Sequence, residues 1–202
     1  MKLMVVTMPT FFVEEDKILT ALFEEGLDVL HLRKPQTPAM FAERLLTLIP
    51  KKFHSRIVIH EHFYLKEEFG LKGVHLNAHN PSEPHDHYGH VSCTCRSLEE
   101  VKKQKPLHDY VFLHPVYDSI SQAGGISPFL PEDLRRAQRD RIIDSNVVAL
   151  GGITADRILE VKDLGFGGAA LMGDLWLRFD VRTTESYREL IEYFREIRRL
   201  AD

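Results

Sequence analysis

Cysteine is scarce in this sequence: Cys93 and Cys95 are the only two in 202 residues. Two residues so close together on one strand do not easily reach disulfide geometry, so we expect free thiols, as in a reducing cytoplasm. A Cys-x-Cys pair without further cysteines also gives little support to a cysteine-ligated metal. The scarcity therefore excludes the disulfide-rich secreted scaffolds.

Long apolar runs and an excess of one charge are missing as well. No apolar stretch reaches the roughly 18 residues of a membrane-spanning helix. The apolar segment at residues 1–6 is too short, and polar residues follow it too soon, to resemble a signal peptide. The net charge is only −4, from 26 basic and 30 acidic side chains without a polybasic run. We therefore expect a cytoplasmic protein that binds neither nucleic acid nor a membrane, and a homo-oligomer stays open.

What the sequence does contain is a regular alternation of short apolar runs and amphipathic segments. The runs are continuous and rich in β-branched residues, which is typical of parallel strands covered on both faces. Because no linker or repeat interrupts the pattern, the sequence predicts an α/β protein, a single (β/α)8 TIM barrel of eight parallel strands with residues 1–202 in one domain. The predicted strands are residues 2–8, 28–33, 56–60, 73–76, 90–94, 110–116, 146–151 and 168–172.

Several helix starts carry local signals. Thr37-Pro38 predicts a helix with proline at its first position, and Pro131 opens another. Ser97-Leu98-Glu99-Glu100 has the spacing of a capping box. Thr154 is predicted to cap a helix that ends at Gly165, and a last helix is predicted over about residues 185–200.

Two strand ends tipped with glycine form the most informative motif. The seventh predicted strand runs into Gly151 and Gly152, and the eighth leads through Met172 to Gly173. Glycine lets backbone N–H groups approach an anion because no Cβ stands in the way, and barrels of this class often hold a phosphate after strands 7 and 8. The motif predicts a phosphate site at Gly151, Gly152 and Gly173, with two ordinary strand–helix turns as the alternative.

Active sites of such barrels lie at the carboxyl ends of the strands. Period-two spacing puts His31 and Arg33 on one side of their strand, facing the barrel interior if Leu30 and Leu32 face the helices. An inward arginine is costly to bury alone, so Arg33, with Lys34 beside it, is predicted to bind an anion. A surface pair at a strand end is the alternative. Further candidates at strand ends are His60, Glu61, Asn80, Thr94, Arg96, Ser119, Ser121 and Gln122.

Short motifs along the chain resemble the thiamine phosphate synthase superfamily, which also contains thiazole tautomerases. They are His31-Leu32-Arg33, Ile59-His60-Glu61, Gly73-Val74-His75-Leu76, Ser97-Leu98-Glu99-Glu100, His114-Pro115-Val116-Tyr117 and Leu150-Gly151-Gly152-Ile153. Their order and spacing match from residue 2 to about 175. The resemblance implies a transferase of thiamine biosynthesis, a thiamine-phosphate diphosphorylase, that condenses hydroxymethylpyrimidine diphosphate with thiazole phosphate and releases diphosphate with the help of Mg²⁺.

The resemblance also implies a role for each candidate. As catalytic residues it implies Arg33 and Lys34 on the diphosphate, Arg96 as additional positive charge there, and His31. The metal ligands would be Glu61 and Asn80. His31 and Thr94 would line the pyrimidine pocket. The remaining substrate contacts would come from His60, from Ser119, Ser121 and Gln122 in the loop after strand 6, and from Gly151, Gly152, Met172 and Gly173 at the thiazole phosphate.

The chain departs from the family pattern in strand 2. His31 replaces a glutamine, and Pro35 occupies the position of a lysine, so that Lys34 stands one place early and points the other way unless the loop bends. One Mg²⁺ carboxylate of the family falls on Asn80. After strand 5 the family's Ser-x-His becomes Thr94-Cys95-Arg96.

These departures leave two alternatives open. The first is a thiazole tautomerase-like isomerase in which His31 or His60 serves as acid or base. The second is a catalytically degenerate barrel that only binds a phosphorylated ligand.

The 11 histidines suggest a further alternative, a metal-dependent hydrolase. His60-Glu61-His62 places two histidines at alternating positions of one strand end, and Asp174 is the candidate for the single late carboxylate of such enzymes. A second histidine-rich segment, residues 85–90, precedes strand 5 and is predicted to be a solvated loop away from the site. Whether that loop binds a metal stays open.

Overall fold

The computed structural model describes residues 1–85, 87–120, 125–180 and 183–202. Its eight parallel strands close into a barrel in the order of the sequence, and β1 pairs with β8 to complete the circle. The predicted (β/α)8 barrel is confirmed, and all eight predicted strands are present: six are slightly shorter than predicted, the fourth has the predicted bounds and the fifth is one residue longer. The strands are β1 (Lys2–Val6), β2 (Val29–Leu32), β3 (Ile57–Ile59), β4 (Gly73–Leu76), β5 (His90–Cys95), β6 (Tyr110–Leu113), β7 (Val147–Leu150) and β8 (Gly168–Leu171).

Helices cover the outside of the barrel. Within the described part of the chain, the connection from β4 to β5 contains no helix, and no helix is both long and apolar enough to cross a membrane. The helices are α1 (Glu15–Glu24), α2 (Ala39–Leu48), α3 (Leu65–Phe69), α4 (Leu98–Gln104), α5 (Pro131–Arg139), α6 (Ile158–Asp163), α7 (Gly173–Leu177) and α8 (Thr184–Ala201).

The predicted helix starts are confirmed in two cases and corrected in two. Ser97 Oγ accepts the N–H of Glu100 at 3.1 Å, and Pro131 is the first residue of α5. Pro38, however, has extended backbone and stands just before α2 instead of inside it. The side chain of Thr154 forms no capping bond, because the backbone tightens into a 3-10 turn over Ala155–Arg157 before α6 begins.

Strand alternation divides the buried side chains into two groups. Leu30 and Leu32 pack in the large core between strands and helices, so their neighbour His31 faces the barrel interior as expected. Cys93 and Cys95 are both free and buried, and they belong to the same outer core. Each strand thus contributes apolar side chains to the outer core and turns its alternate residues inward.

The barrel interior is wholly apolar on one side, and on the other it combines apolar side chains with buried polar ones. Met4, Val6, Val148 and Ala170 fill the side formed by β1, β7 and β8. On β2 to β5 the inward residues include three with no exposed surface, namely His31, His75 and Ser92. Buried polar groups are costly unless they are hydrogen-bonded, so this half of the interior requires a network.

Candidate active site

A pocket of about 600 Å³ opens at the carboxyl ends of the strands. This is the end at which barrels of this class place their active sites. Its apolar lining comes mainly from the β1, β7 and β8 side, and its polar lining mainly from β2 to β6. The polar side chains are Arg33, His60, Asn77, His79, Thr94, Arg96, Glu100, His114, Ser119 and Asp174.

One wall of the pocket is a bare glycine corner, formed by Gly151 and Gly152 after β7 and Gly173 after β8. Gly151 and Gly152 have φ angles of +96° and +65°, which side-chain-bearing residues rarely adopt. A Cβ on Gly152 would lie 2.4 Å from the carbonyl oxygen of Asp118. Only glycine fits this corner, and the exposed backbone suits an anion.

Two arginines line the same pocket. The backbone of Arg33 is held by Thr7, whose Oγ1 accepts the Arg33 N–H at 3.0 Å and whose hydroxyl donates to the Arg33 carbonyl at 2.9 Å. The ion pairs found among the described residues include neither Arg33 nor Arg96. Guanidinium groups aimed at a pocket without a carboxylate partner favour an anionic ligand.

The expected position of Lys34 in the pocket is corrected by the structure. As the strand neighbour of Arg33 it points the opposite way, and its Nζ donates to Glu15 Oε1 at 2.6 Å and to the Thr10 carbonyl at 2.9 Å. Both side chains of this ion pair are 2 % exposed. Burial raises the pKa of Glu15 to about 7 and lowers the pKa of Lys34, because each charge loses its hydration. Lys34 therefore stabilises the rim of the pocket through a buried ion pair that lies outside the pocket.

Glu61 and Asn80, the expected metal ligands, lie at the rim beside pocket residues and do not line the pocket itself. Glu61 Oε2 accepts the backbone N–H of Lys34 at 2.8 Å, and burial raises the pKa of its carboxyl group. Asn80 Nδ2 donates to the carbonyl of His60 at 2.9 Å. Both residues are thereby held against the carboxyl end of β3.

Three histidines meet in the barrel interior directly beneath the pocket. His31 Nδ1 lies 2.9 Å from His60 Nε2, and His31 Nε2 lies 2.7 Å from the Tyr110 hydroxyl. The third, His75, has Nδ1 2.8 Å from Ser92 Oγ. Burial lowers the pKa of all three, that of His75 to about 3, so the rings are neutral near pH 7. The expectation that His31 lines the pocket is corrected: it lies below the floor, which His60 forms.

The other predicted residues divide between the pocket and its surroundings. Thr94, Arg96, Ser119 and Met172 line the pocket. Ser121 and Gln122, predicted to contact substrate, lie outside the described residues.

The features that favoured a hydrolase do not come together. His62 has a positive φ of 53°, which turns its ring away from His60, and its Nε2 lies 2.8 Å from the Thr37 carbonyl. Asp174 lines the pocket but is engaged by the Tyr193 hydroxyl and, at 3.2 Å, by Arg178. His85 and residues 87–89 precede β5 at the end of the barrel opposite the pocket, and Asp86 lies outside the described residues.

The residues around this site that sequence reasoning missed include Tyr110, Ser92 and Glu15, and also the pocket-lining His79 and Glu100. Ser92 and Tyr110 are inward positions of β5 and β6, so strand alternation could have found them once the pairing of these strands was known. Glu15 carried no such signal, because an acidic residue in the first turn of a helix is usually solvated.

Comparison with known proteins gives a consistent picture. A family model described as thiamine monophosphate synthase matches residues 3–175. A thiamine phosphate pyrophosphorylase from Bacteroides thetaiotaomicron is 63 % identical, with a TM-score of 0.93 and coverage of 100 % of this chain and 98 % of the other. A thiamine-phosphate synthase from Photorhabdus laumondii is 24 % identical over 163 residues, which are 76 % of this chain and 75 % of that protein. A thiamine phosphate pyrophosphorylase from Pyrococcus furiosus, 22 % identical with a TM-score of 0.66 and 96 % coverage of both chains, shares the fold.

Proposed function

The chain belongs to the thiamine monophosphate synthase family, and on that premise we propose that its pocket condenses hydroxymethylpyrimidine diphosphate with thiazole phosphate to give thiamine phosphate and diphosphate. The observation that carries this proposal is the presence of the glycine corner, Arg33 and Arg96 in one pocket. Two separate anion-binding features suit two phosphorylated substrates.

In this reaction the bond between the pyrimidine methylene carbon and the diphosphate oxygen breaks, and its electron pair leaves with the diphosphate. The thiazole nitrogen then supplies the electron pair for the new bond to that carbon. The protein has to stabilise charge and align two substrates, and it needs no nucleophile of its own.

Arg33 and Arg96 support binding of the diphosphate. A guanidinium donates two parallel hydrogen bonds to a phosphate, and both stabilise the negative charge that grows as the diphosphate leaves. The glycine corner at Gly151 and Gly152 supports binding of the thiazole phosphate, because backbone N–H groups there can approach an anion closely. The two substrates would thus be held by their charged ends.

Glu61 and Asn80 fit a Mg²⁺ site by their chemistry, because carboxylate and amide oxygens are the hard ligands that this ion prefers. Both side chains are fixed by hydrogen bonds next to the pocket-lining His60. A bound Mg²⁺ would neutralise part of the charge on the departing diphosphate. One carboxylate is a weak anchor by itself, so substrate oxygens are expected to complete the site.

The floor of the pocket, which His60 forms, is uncharged, and this suits a pyrimidine that becomes positively charged. His60 is uncharged near pH 7 because burial lowers the pKa of its ring. A protonated histidine at this place would repel the developing cation, whereas a neutral ring and the face of Phe112, which also lines the pocket, do not.

The direct test is an assay of the purified protein with both precursors and Mg²⁺. We expect thiamine phosphate and diphosphate in equal amounts, and no product after chelation of Mg²⁺ by EDTA. Omission of thiazole phosphate is the control. Isomerised thiazole without thiamine phosphate would instead support the tautomerase, and calorimetric binding of both precursors without any product would support a binding protein.

The glycine corner yields a second prediction. Gly152→Ala should raise KM for thiazole phosphate about tenfold or more, because the Cβ collides with the Asp118 carbonyl and pushes the corner out of place. Gly70→Ala is the matched control, since Gly70 has nearly the same φ, +64°, and no atom within 4 Å of the added Cβ. Steady-state kinetics with thiazole phosphate as the varied substrate measure both. Equal KM values in the two variants would contradict a phosphate site at this corner.

A further inference from the structure

One hydroxyl group from the last helix joins the two turns that form the glycine corner. Tyr193 Oη donates to the carboxylate of Asp174, which directly follows Gly173, and it accepts the backbone N–H of Ala155 at 3.1 Å. Ala155 stands three residues after Gly152 and begins a 3-10 turn. These contacts, here called the tyrosine bridge, connect the end of β7 with the end of β8 through a single oxygen atom.

The Tyr193 hydroxyl forms both kinds of hydrogen bond that a phenol allows. Its one proton goes to Asp174 Oδ2, and a lone pair of its oxygen takes the Ala155 N–H. Burial raises the pKa of Tyr193 to about 12, so the proton is present at neutral pH. Because a carboxylate only accepts and a backbone N–H only donates, neither contact has an alternative direction.

Arg178 holds the Asp174 end of the bridge from the other side. Its Nη2 donates to Asp174 Oδ1 at 3.2 Å, and its guanidinium lies 3.9 Å from the centroid of the Tyr193 ring. Both oxygens of Asp174 therefore have donors, although this side chain lines the pocket and is only 7 % exposed. A buried carboxylate with two such donors is fixed in place, and in turn it fixes them.

Helix α8 brings Tyr193 to this position from outside the pocket. The helix contacts α6, α7 and the 3-10 turn, which are the elements that follow β7 and β8, and Phe194 and Ile197 anchor it in the outer core. It begins at Thr184, after residue 175, where the match to the family ends, so that match gives no role to Tyr193. A residue that does not line the pocket thus reaches both turns of its glycine corner.

The glycine corner needs such a restraint. Gly151 and Gly152 have positive φ angles, which glycine adopts readily but does not enforce, because it is also free to adopt other conformations. Backbone N–H groups bind an anion well only when they point at it together, since hydrogen bonds weaken steeply as the donor turns away. The tyrosine bridge is attached just beyond the glycines of both turns and limits their relative movement.

We infer that the tyrosine bridge sets the spacing of the glycine corner and thereby its affinity for the phosphate group of the thiazole substrate. This inference rests on the proposed function, in which the corner holds thiazole phosphate. Tyr193 and Asp174 are positioning residues, because they act through the backbone of the two turns. A carboxylate so close to an anion site would by itself repel the ligand, and Arg178 and the Tyr193 hydroxyl offset its charge.

Simple packing of α8 is the main alternative. In that case, loss of the hydroxyl would loosen the barrel as a whole and impair the reaction with both substrates alike. The bridge instead predicts a change confined to one substrate. KM for thiazole phosphate should rise while kcat stays the same, as happens when an interaction common to the ground state and the transition state is lost.

Tyr193→Phe tests the inference, because it removes one oxygen atom and keeps the ring under Arg178. We expect KM for thiazole phosphate to rise about 5- to 20-fold, the usual effect of losing one such hydrogen-bonded link. Both kcat and KM for the pyrimidine diphosphate should stay within about twofold of the original values. Inorganic phosphate carries only the group that the corner binds, so its inhibition constant against thiazole phosphate should rise by the same factor.

Tyr187→Phe is the matched control, since Tyr187 is a partly buried tyrosine of the same helix that takes no part in the bridge. Amide hydrogen exchange gives a readout independent of activity: the Ala155 N–H should exchange faster in Tyr193→Phe and not in Tyr187→Phe. Asp174→Ala removes the other end of the bridge. Adding Tyr193→Phe to Asp174→Ala should raise KM for thiazole phosphate by less than about twofold, because the bridge is already open.

An unchanged KM for thiazole phosphate in Tyr193→Phe would overturn the inference, and so would equal rises for both substrates or the same rise in Tyr187→Phe. If the original protein binds thiazole phosphate but forms no product, dissociation constants from calorimetry replace KM. A rise of the expected size would then uphold the bridge and remove only the proposed reaction. Absence of any binding of thiazole phosphate to the original protein would overturn both.

Discussion

Arg33→Met is expected to lower kcat/KM for the pyrimidine diphosphate about 100- to 1000-fold, the usual effect of removing one preorganised donor from a developing anion. Arg33 lines the pocket, its backbone is held on both sides by Thr7, and the ion pairs among the described residues leave it out. Methionine retains the length of the side chain while removing its charge and its hydrogen bonds. KM for thiazole phosphate should change far less, because the glycine corner carries that group.

The control for this variant is Arg44→Met on α2, which removes an exposed arginine that does not line the pocket. Each variant removes one positive charge from the protein, so general electrostatic steering of anions changes by the same amount in both. Steady-state kinetics with each substrate varied in turn give the comparison. If kcat/KM for the pyrimidine diphosphate falls less than about tenfold in Arg33→Met, the diphosphate does not bind at Arg33.

Glu15→Gln is expected to lower the free energy of unfolding by about 3 kcal/mol, because it leaves the buried Lys34 ammonium without its counter-charge. The two side chains meet at 2.6 Å and are almost fully buried. Glu15 Oε2 has no hydrogen-bond partner among the described residues, and burial raises the pKa of the carboxyl group to about 7, which shows how little of the lost hydration is replaced. Urea denaturation at about pH 9 measures the effect, because a carboxyl group with a pKa of about 7 is ionised there.

A double variant, Glu15→Leu with Lys34→Met, removes both charges of the buried ion pair at once. We expect it to recover most of the lost stability, because apolar side chains of similar size often replace a buried ion pair without cost. We also expect kcat/KM within about threefold of the original protein, since neither side chain lines the pocket. A large loss of activity in a stably folded double variant would restore the first expectation, that Lys34 binds the diphosphate.

The contrast between Arg33 and Lys34 shows how far strand alternation can be trusted. It placed His31 and Arg33 on the inside, and it indicated that Lys34 points away unless the loop bends. The resemblance instead implied that Lys34 binds the diphosphate, and at this position alternation was the better guide. All eight strands followed from apolar runs alone. The glycine corner was found for a similar reason, because a glycine pair after an apolar strand is a local signal that does not depend on distant contacts.

What could not be predicted depends on contacts between distant parts of the chain. The partner of Lys34 is Glu15, which lies 19 residues earlier, and the Tyr110 hydroxyl meets His31 across 79 residues. No local pattern marks such pairs. The depth of His31 was likewise invisible, because alternation gives the direction of a side chain and not its height in the barrel relative to His60.

The two sides of the barrel interior have different roles, because one contributes to the fold and the other holds the functional side chains. Met4 and Val148 fill the side formed by β1, β7 and β8 with apolar side chains that do not line the pocket. His31 stands on β2, His75 on β4 and His60 directly after β3, across the interior from that side. A lineage can therefore exchange the functional groups on one wall while the other keeps the protein folded, which gives this small barrel room to evolve new substrate preferences.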